Sequence, residues 1–274
     1  MTFAIKLFFS LPLALIHLLG CLLGLLMYLF DYKFRDRIIK NIQRTNIKKT
    51  DVEIKKLVIS NSMHIGMTLM ESFSIWFASS KKIDSWVKKT SNWSLIDKKQ
   101  SKDKGVIFLT PHLGSFEITA QYYGARHPIK VMYKPSKNKW LDNIIFKGRS
   151  KNLVSPVSIE LSGMKQILQA LKKGEAVGIL PDQVPPEGHG EWSSFFNQKV
   201  YTMTLIQKLH KLTGAPIIFA FGKREGIGKG FSINLYEFKG DPTPKKIDQF
   251  IEELVKSSPE QYLWNYRRYK LPKL

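Results

Sequence analysis

Beyond Lys98 the chain alternates between short apolar runs and longer amphipathic stretches. Short runs rich in β-branched and aromatic residues predict strands, and apolar residues three or four apart predict helices. The predicted strands are Gly105–Thr110, Ile129–Tyr133, Ala176–Leu180, Ala215–Phe221 and Phe231–Tyr236. The predicted helices are Phe116–Tyr123, Asn138–Lys147, Glu160–Lys172, Tyr201–Thr213 and Thr243–Lys256. This order predicts an α/β fold, with a mostly parallel central sheet flanked by helices and a final antiparallel hairpin.

The amino terminus carries an apolar run from Leu7 to Phe30 without a formal charge. As a helix it is long enough to cross a hydrocarbon core of about 30 Å. A cleaved signal peptide is the alternative, but the run exceeds a typical h-region and no small-x-small site follows. We therefore expect residues 1–31 to form an uncleaved membrane anchor. Whether this helix spans the bilayer or lies in one leaflet stays open, because Pro12 and His17 interrupt it.

The residues after the anchor are basic, which predicts that the remaining chain lies on the cytoplasmic side of the membrane. We expect residues 32–274 to form one domain, with a helical lead-in over 32–98 and an α/β core over 99–274. In the lead-in, Thr50-Asp-Val-Glu53 has the pattern of a capping box and predicts a helix from Asp51. In the core, Gly226-Ile-Gly-Lys-Gly230 lies between two predicted strands and opens no helix, so we interpret it as a hairpin turn.

The net charge of +21 comes from 43 basic and 22 acidic residues. Such an excess predicts attraction to polyanions, which include nucleic acid, an anionic membrane surface, a phosphorylated lipid and an acidic carrier protein. No recognised nucleic-acid module is present, so we expect no nucleic-acid partner. The single cysteine, Cys21, excludes disulfides within the chain and cysteine-rich metal sites. The histidines outside the segment discussed next show no metal-ligand spacing, and we expect neither a metal nor a cofactor.

The segment Thr110-Pro-His-Leu-Gly-Ser-Phe-Glu117 follows a predicted buried strand. Histidine can take a proton from a hydroxyl and return it, and a carboxylate on its other ring nitrogen would fix the tautomer. Two residues five apart on one helix point away from each other, but Ser115 can cap a helix that begins near Phe116. His112 would then lie in the turn and Glu117 in the first helical turn, where the two side chains can converge. The alternative is a loop histidine with a carboxylate that the helix dipole favours.

This segment resembles the H-x4-D/E signature of lysophospholipid-type acyltransferases, and more narrowly the late acyltransferases of bacterial lipid A biosynthesis. Further matches follow in the order typical of that family. They are Met132-Tyr-Lys-Pro135, Gly148-Arg149, Leu180-Pro-Asp-Gln183, Phe195-Phe196, Pro259-Glu-Gln-Tyr-Leu-Trp264 and Arg267-Arg268. The histidine signature alone is weak, whereas the ordered set covers nearly the whole chain.

The resemblance implies an inner-membrane O-acyltransferase that moves a fatty acyl chain from acyl carrier protein to a hydroxyl of a lipid A precursor, a phosphorylated glycolipid. In the mechanism that we infer, His112 is the general base and Glu117 orients its ring. Transfer is direct, without a covalent intermediate, and the absence of a G-x-S-x-G motif agrees with this route. Two alternatives remain: the same fold acting on another glycolipid or an aminolipid, and a non-enzymatic basic protein that binds membranes or nucleic acid.

Three further residues are candidate substrate-binding groups. We expect Arg149 to bind a phosphate or oxyanion, because two N–H groups of a guanidinium can donate to two such oxygens at once. We expect Asp182 to hold Arg149 or a nearby backbone turn. Lys134 stands where the family often has arginine. Lysine keeps the positive charge but lacks the planar guanidinium that can bind two oxygens at once. His112, Lys134 and Asp182 each follow a predicted strand, at the edge of the sheet where α/β proteins bind ligands.

Overall fold

A computed structural model describes residues 11–100 and 104–273, and its centre is a seven-stranded sheet. The strands of this sheet are β1 (Val87–Ser91), β2 (Val106–Leu109), β3 (Ile129–Tyr133), β4 (Val154–Ser158), β5 (Ala176–Ile179), β8 (Ile217–Arg224) and β9 (Phe231–Phe238). Two more strands, β6 (Gly190–Phe195) and β7 (Gln198–Met203), form a separate antiparallel hairpin. The predicted α/β class is confirmed.

The order across the large sheet is β1-β9-β8-β2-β5-β3-β4. Every neighbouring pair is parallel except β8 and β9, which form the predicted final hairpin. The glycine-rich segment 226–230 connects those two strands, as expected of a turn. Strand β2 lies at the centre, between β5 and β8, and its side chains are buried on both faces. Burial of both faces is typical of parallel sheets covered by helices on each side.

Ten α-helices lie in the described residues. They are α1 (Leu13–Phe30), α2 (Tyr32–Gln43), α3 (Asp51–Phe77), α4 (Ser80–Trp86), α5 (Ser94–Lys99), α6 (Phe116–Gly124), α7 (Lys139–Arg149), α8 (Leu161–Lys172), α9 (Leu205–Thr213) and α10 (Pro244–Ser257). A short 3-10 helix covers Pro259–Gln261. The predicted capping box is present at the start of α3, where the Thr50 hydroxyl and the Glu53 carboxylate each accept a backbone N–H of the other residue.

Helix α1 is the apolar helix, with a mean hydropathy of 2.4, and its length and composition suit a membrane span. Residues 7–10 of the predicted run lie outside the described residues.

Glycines bring α1 and α3 together backbone to backbone. A Cβ on Gly24 would lie 2.0 Å from the carbonyl oxygen of Ser62, and one on Gly66 would lie 2.0 Å from that of Gly20. Only glycine permits this approach, so α1 packs on the rest of the chain along one face.

A buried polar cluster fastens the same face of α1. His17 is fully buried, and its Nε2 lies 2.7 Å from a carboxylate oxygen of Glu71 on α3. The backbone N–H of Gly228 donates to the Nδ1 of His17 at 3.0 Å. Arg224 on β8 donates to both oxygens of Glu71, at 2.5 and 2.7 Å. Burial alone would raise the pKa of Glu71, but the charge of Arg224 lowers it to about 2.

The predicted helix Tyr201–Thr213 is wrong in its first part. Residues 198–203 form β7, and the helix begins at Leu205. Strands β6 and β7 meet through Phe196 and Asn197, which have φ angles of 50° and 59°. Positive φ at both central residues is the geometry of a two-residue hairpin turn. This hairpin, with side chains of β7 buried against the core, outweighs the helical pattern of the local sequence.

Strands β1 and β4 were not predicted, and both lie at the edges of the sheet. Strand β4 contains Pro156, which has no N–H to donate and is tolerated at an edge. Strand β1 has the sequence Val-Lys-Lys-Thr-Ser and only partly buried side chains, so it carries no apolar signal. Edge strands of this kind are short and polar, which also opposes edge-to-edge association.

Candidate active site

His112 and Asp182 occupy equivalent places after neighbouring strands. Strands β2 and β5 are parallel, and the last residue of β2, Leu109, pairs with the last residue of β5, Ile179. Each of the two polar residues lies three positions beyond its paired strand end. Parallel register therefore delivers both side chains to the same point at the carboxyl edge of the sheet, where ligands bind in such folds.

The Asp182 carboxylate contacts His112 twice. One oxygen lies 2.8 Å from the ring Nδ1, and the other accepts the backbone N–H of His112 at 2.9 Å. Asp182 is only 2% exposed. Burial alone would raise its pKa, but the contact with His112 lowers it, with a further contribution from Arg268. An ionised Asp182 assigns the ring proton to Nδ1 and leaves a lone pair on Nε2, as in catalytic triads.

The Nε2 atom of His112 contacts the side chain of Gln183. The imidazole is 10% exposed, and the side-chain amide nitrogen of Gln183 lies 3.3 Å from Nε2. The Phe116 ring packs edge-on against the imidazole, with 4.9 Å between ring centroids. The amide of Gln183 therefore takes the place that a substrate hydroxyl must occupy in order to reach Nε2.

Glu117 does not orient His112, contrary to the expectation from their spacing. Its carboxylate pairs with Arg149 instead, accepting from Nε at 3.1 Å and from Nη2, and the Trp76 indole N–H donates to it at 3.0 Å. Both Glu117 and Arg149 are largely buried. Glu117 lies in the first turn of α6 and faces the end of α7. The acid on the histidine ring comes from the next strand of the sheet, a long-range contact that local spacing cannot reveal.

Arg149, at the end of α7, is held in place by its surroundings. Burial alone would lower the pKa of its guanidinium, but the Glu117 carboxylate raises it. The guanidinium lies over the Trp76 ring, 5.7 Å from its centroid. Gly148 explains the glycine of the Gly-Arg pair, because a Cβ there would lie 2.5 Å from the Cβ of Trp76. Arg149 pairs with Glu117 rather than with Asp182, and Asp182 has the other expected role, because it holds a nearby backbone turn through the N–H of His112.

A cavity between α6, α5 and the sheet opens beside this ion pair. Most of its lining is apolar or aromatic, and the ionisable side chains of Glu117 and Arg149 lie on its wall. The apolar lining includes Trp93, Ile96, Phe108, Phe116, Ile129, Val131, Met132, Ile179, Ile233 and Leu235. The lining is apolar, as a hydrocarbon chain requires, and the charged pair lies where a polar group would bind. The cavity volume is about 50 Å³, well below the roughly 300 Å³ or more of a typical ligand site.

Lys134 lies exposed on the loop after β3, and it does not line this cavity. The structure thus brings together two pairs from the predicted set, His112 with Asp182 and Glu117 with Arg149, and leaves Lys134 apart. Gln183 and Trp76 were missed as site residues. The position of Gln183, directly after the matched aspartate, was the available signal, whereas nothing in the sequence separates Trp76 from the core.

The carboxyl-terminal motif supports the histidine loop. The backbone N–H of Leu263 donates to the carbonyl of His112 at 2.9 Å, and the Asn61 side chain donates to the Tyr262 carbonyl at 2.6 Å. Arg268 is buried, donates to Asp248 at 2.7 Å and to the Tyr201 carbonyl at 2.9 Å. The matched segments near the end of the chain therefore position the loop that carries His112.

Comparison with known proteins agrees with this geometry. The model of the family described as bacterial lipid A biosynthesis acyltransferase matches residues 1–271. The chain is 28% identical to the lipid A biosynthesis lauroyltransferase of Escherichia coli (strain K12), over 95% of the chain and 87% of that protein. It is 27% identical to the palmitoleoyltransferase of the same strain, with the same coverage. The myristoyltransferase of that strain is 23% identical over 62% of the chain and 55% of its own length. The chain belongs to the bacterial lipid A biosynthesis acyltransferase family.

Proposed function

We propose that this protein transfers a fatty acyl chain from the thioester of acyl carrier protein to a hydroxyl of a lipid A precursor. The observation that carries the proposal is the imidazole of His112, whose Nδ1 is bound by the buried Asp182 while Nε2 contacts the side-chain amide of Gln183. This arrangement leaves the lone pair of Nε2 in position to accept a proton. The family membership favours lipid A as the acceptor.

In the proposed reaction the acceptor hydroxyl displaces the Gln183 amide and donates its hydrogen bond to Nε2. As the hydroxyl oxygen attacks the thioester carbon, its proton passes to Nε2, and Asp182 stabilises the imidazolium that forms. The tetrahedral intermediate then collapses, the carbon–sulfur bond breaks, and the thiolate leaves and takes the proton back from the ring. Atoms and charge balance without a covalent enzyme intermediate. General base catalysis of this kind contributes about 10²–10⁴-fold.

The other predicted site residues have roles in the same proposal. Glu117 engages Nε and Nη2 of Arg149, so Nη1 is the group available to the carbonyl or phosphate oxygen of a substrate. The apolar lining of the cavity beside this pair suits part of an acyl chain, and the cavity would widen to hold the whole of it. Glu117 is thus a positioning residue for Arg149, and Asp182 takes the role expected of Glu117. Lys134, exposed at the same edge of the sheet, is the candidate for contact with the charged part of a substrate.

Membrane attachment belongs to the same proposal. Helix α1 presents an apolar face away from the body of the protein, and basic residues follow it on α2. We propose that α1 anchors the chain in the bacterial inner membrane with the active site on the cytoplasmic side, where acyl carrier protein is available. The excess of basic residues then attracts the anionic membrane surface and the acidic donor protein.

The experiment is transfer from radiolabelled acyl carrier protein to a tetraacylated Kdo-lipid A precursor by the purified full chain. His112→Ala should lower turnover by about 10²-fold or more. His189→Ala, which changes an exposed histidine just before β6, is the matched control and should keep wild-type turnover. Label on a different lipid would favour the same chemistry on another acceptor, and transfer by His112→Ala at the wild-type rate would refute the mechanism.

A further inference from the structure

Six basic side chains line a pocket between α2 and the carboxyl-terminal segment. We call this the basic pocket, and it has a volume of about 320 Å³. Its basic residues are Lys33, Arg37, Lys40, Arg44, Arg267 and Lys270, and its acidic residue is Asp36. The formal charge of the lining is therefore +5. None of these residues belongs to the site around His112 and Arg149.

Hydrogen bonds between α2 and the carboxyl-terminal segment fix the backbone around the basic pocket. Three of the basic residues lie on α2 and Arg44 directly follows it, and their helical spacing places them on one face of that helix. The Asn41 side chain donates to the carbonyls of Trp264 and Tyr266, at 2.7 and 2.9 Å. Arg37 donates to the carbonyl of Asn265 at 3.2 Å. These bonds hold the carboxyl-terminal segment against α2 and set the distance between the two walls.

The charges of the pocket are only partly neutralised. Asp36 pairs with Lys40 at 2.8 Å, and both side chains are exposed. Arg44 lies 5.0 Å from the Tyr269 ring centroid, and Lys270 lies 5.3 Å from that of Tyr266. Aromatic faces hold these cations in place without cancelling their charge. An anion in the pocket would relieve the repulsion among them.

The position of the basic pocket relative to α1 indicates which kind of anion it would meet. Helix α1 ends at Phe30 and α2 begins at Tyr32, and the guanidinium of Arg35 donates to the Tyr28 carbonyl at 3.0 Å to join the two helices. The exposed face of α1 is a continuous apolar stripe. It consists of Leu15, Leu18, Leu22, Leu26, Leu29 and Phe30. With this stripe in lipid, the basic pocket lies just beyond the hydrocarbon boundary, at the depth of lipid phosphates.

We propose that the basic pocket binds the phosphate group of a membrane lipid, with preference for a phosphate monoester. A monoester carries about −1.5 to −2 charges near neutral pH and offers three terminal oxygens, whereas a diester carries a single charge. An arginine guanidinium can donate to two phosphate oxygens at once, and a lysine ammonium acts as a point charge. A pocket lined by both kinds of side chain therefore suits a dianion. The placement of the pocket rests on the proposed membrane attachment of α1, but binding there needs no acyl transfer and is measured separately from that reaction.

The test uses the full chain purified in micelles of a nonionic detergent. The micelles are doped with dioleoyl phosphatidic acid, a monoester, or with dioleoyl phosphatidylglycerol, a diester, and inorganic phosphate in solution is a third probe. Calorimetric titration gives the three affinities. We expect the protein to bind phosphatidic acid more tightly than both other probes. Equal affinity for the monoester and the diester, or for phosphatidic acid and free phosphate, would refute the assignment.

The variant Lys33→Gln/Lys40→Gln/Arg267→Gln removes three exposed charges of the pocket. Its affinity for phosphatidic acid should fall by about tenfold or more. The control Lys208→Gln/Lys211→Gln/Lys245→Gln removes the same charge from exposed positions of α9 and α10 and should bind as the wild type does. Equal losses of phosphatidic acid affinity in both variants would show that binding depends on the overall positive charge of the protein and not on this pocket. A loss of affinity for acyl carrier protein, with lipid binding retained, would assign the pocket to the protein donor instead.

The single variant Arg267→Gln covers the case in which the triple variant unfolds. Thermal unfolding of each variant shows whether the fold is intact. Arg267 is exposed at the carboxyl-terminal wall, and its replacement should weaken phosphatidic acid binding without a change in the unfolding temperature. Unchanged binding in this variant would contradict the proposal.

Discussion

Asp182 bonds both the ring and the backbone N–H of His112, and it therefore fixes the orientation and the tautomer of the imidazole. Asp182→Asn keeps the size of the side chain but offers a neutral amide to Nδ1. The wrong tautomer is then favoured, as in serine proteases with the same change, where turnover falls about 10⁴-fold. We expect a fall in kcat of about 10³-fold or more, with little change in KM for the acyl donor. Steady-state transfer kinetics measure both constants, and a kcat near the wild-type value would contradict the assignment of Asp182.

Glu117 neutralises Arg149 in a largely buried pair, and its loss should affect stability as well as transfer. Glu117→Ala leaves an unpaired buried guanidinium, which costs about 3–5 kcal/mol in comparable sites. We expect a lower unfolding temperature, measured by differential scanning fluorimetry in detergent. The double variant Glu117→Leu/Arg149→Leu removes both charges and should recover much of the loss. An unchanged unfolding temperature for Glu117→Ala would show that the pair contributes little.

Gln183 covers the Nε2 atom of His112 at 3.3 Å, so its removal should expose that nitrogen to reagents. Diethyl pyrocarbonate acylates the neutral imidazole, and mass spectrometry locates the modified residue. We expect Gln183→Ala to be modified at His112 several-fold faster than the wild type. His127 serves as the internal control, because its rate should be the same in both proteins. Equal rates at His112 would mean that the amide does not cover the nitrogen.

The cluster of His17, Glu71 and Arg224 predicts a pH dependence of stability. The pKa of Glu71 is about 2 in the folded protein, below its ordinary value of 4.5. A carboxylate whose pKa is lower in the folded protein stabilises the fold fully at pH values above its pKa in the unfolded chain. This stabilisation is lost as the pH falls through its pKa in the folded protein. We therefore expect stability to fall between about pH 4.5 and pH 2 as Glu71 takes up its proton. In Glu71→Gln, acid unfolding followed by circular dichroism should lack this component, and an unchanged profile would contradict the prediction.

The sequence predicted the parallel sheet, most helices and the edge at which the site lies, because these depend on local periodicity. It did not predict the partner of His112. Asp182 reaches the histidine only because Leu109 pairs with Ile179 in neighbouring strands, and strand order is not readable from one sequence. The same limit explains β4 at the sheet edge, with its internal proline, and β7, whose pairing with β6 outweighs a helical pattern.

The close glycine contact between α1 and α3 means that α1 cannot rotate or tilt independently of the sheet. With α1 in a bilayer, as proposed, a change in its angle or depth would be transmitted to the whole α/β body. With α1 anchored in the membrane as proposed, the geometry of this one helix would set the height of His112 above the lipid surface. A generic hydrophobic segment in place of α1 would retain attachment while losing that alignment.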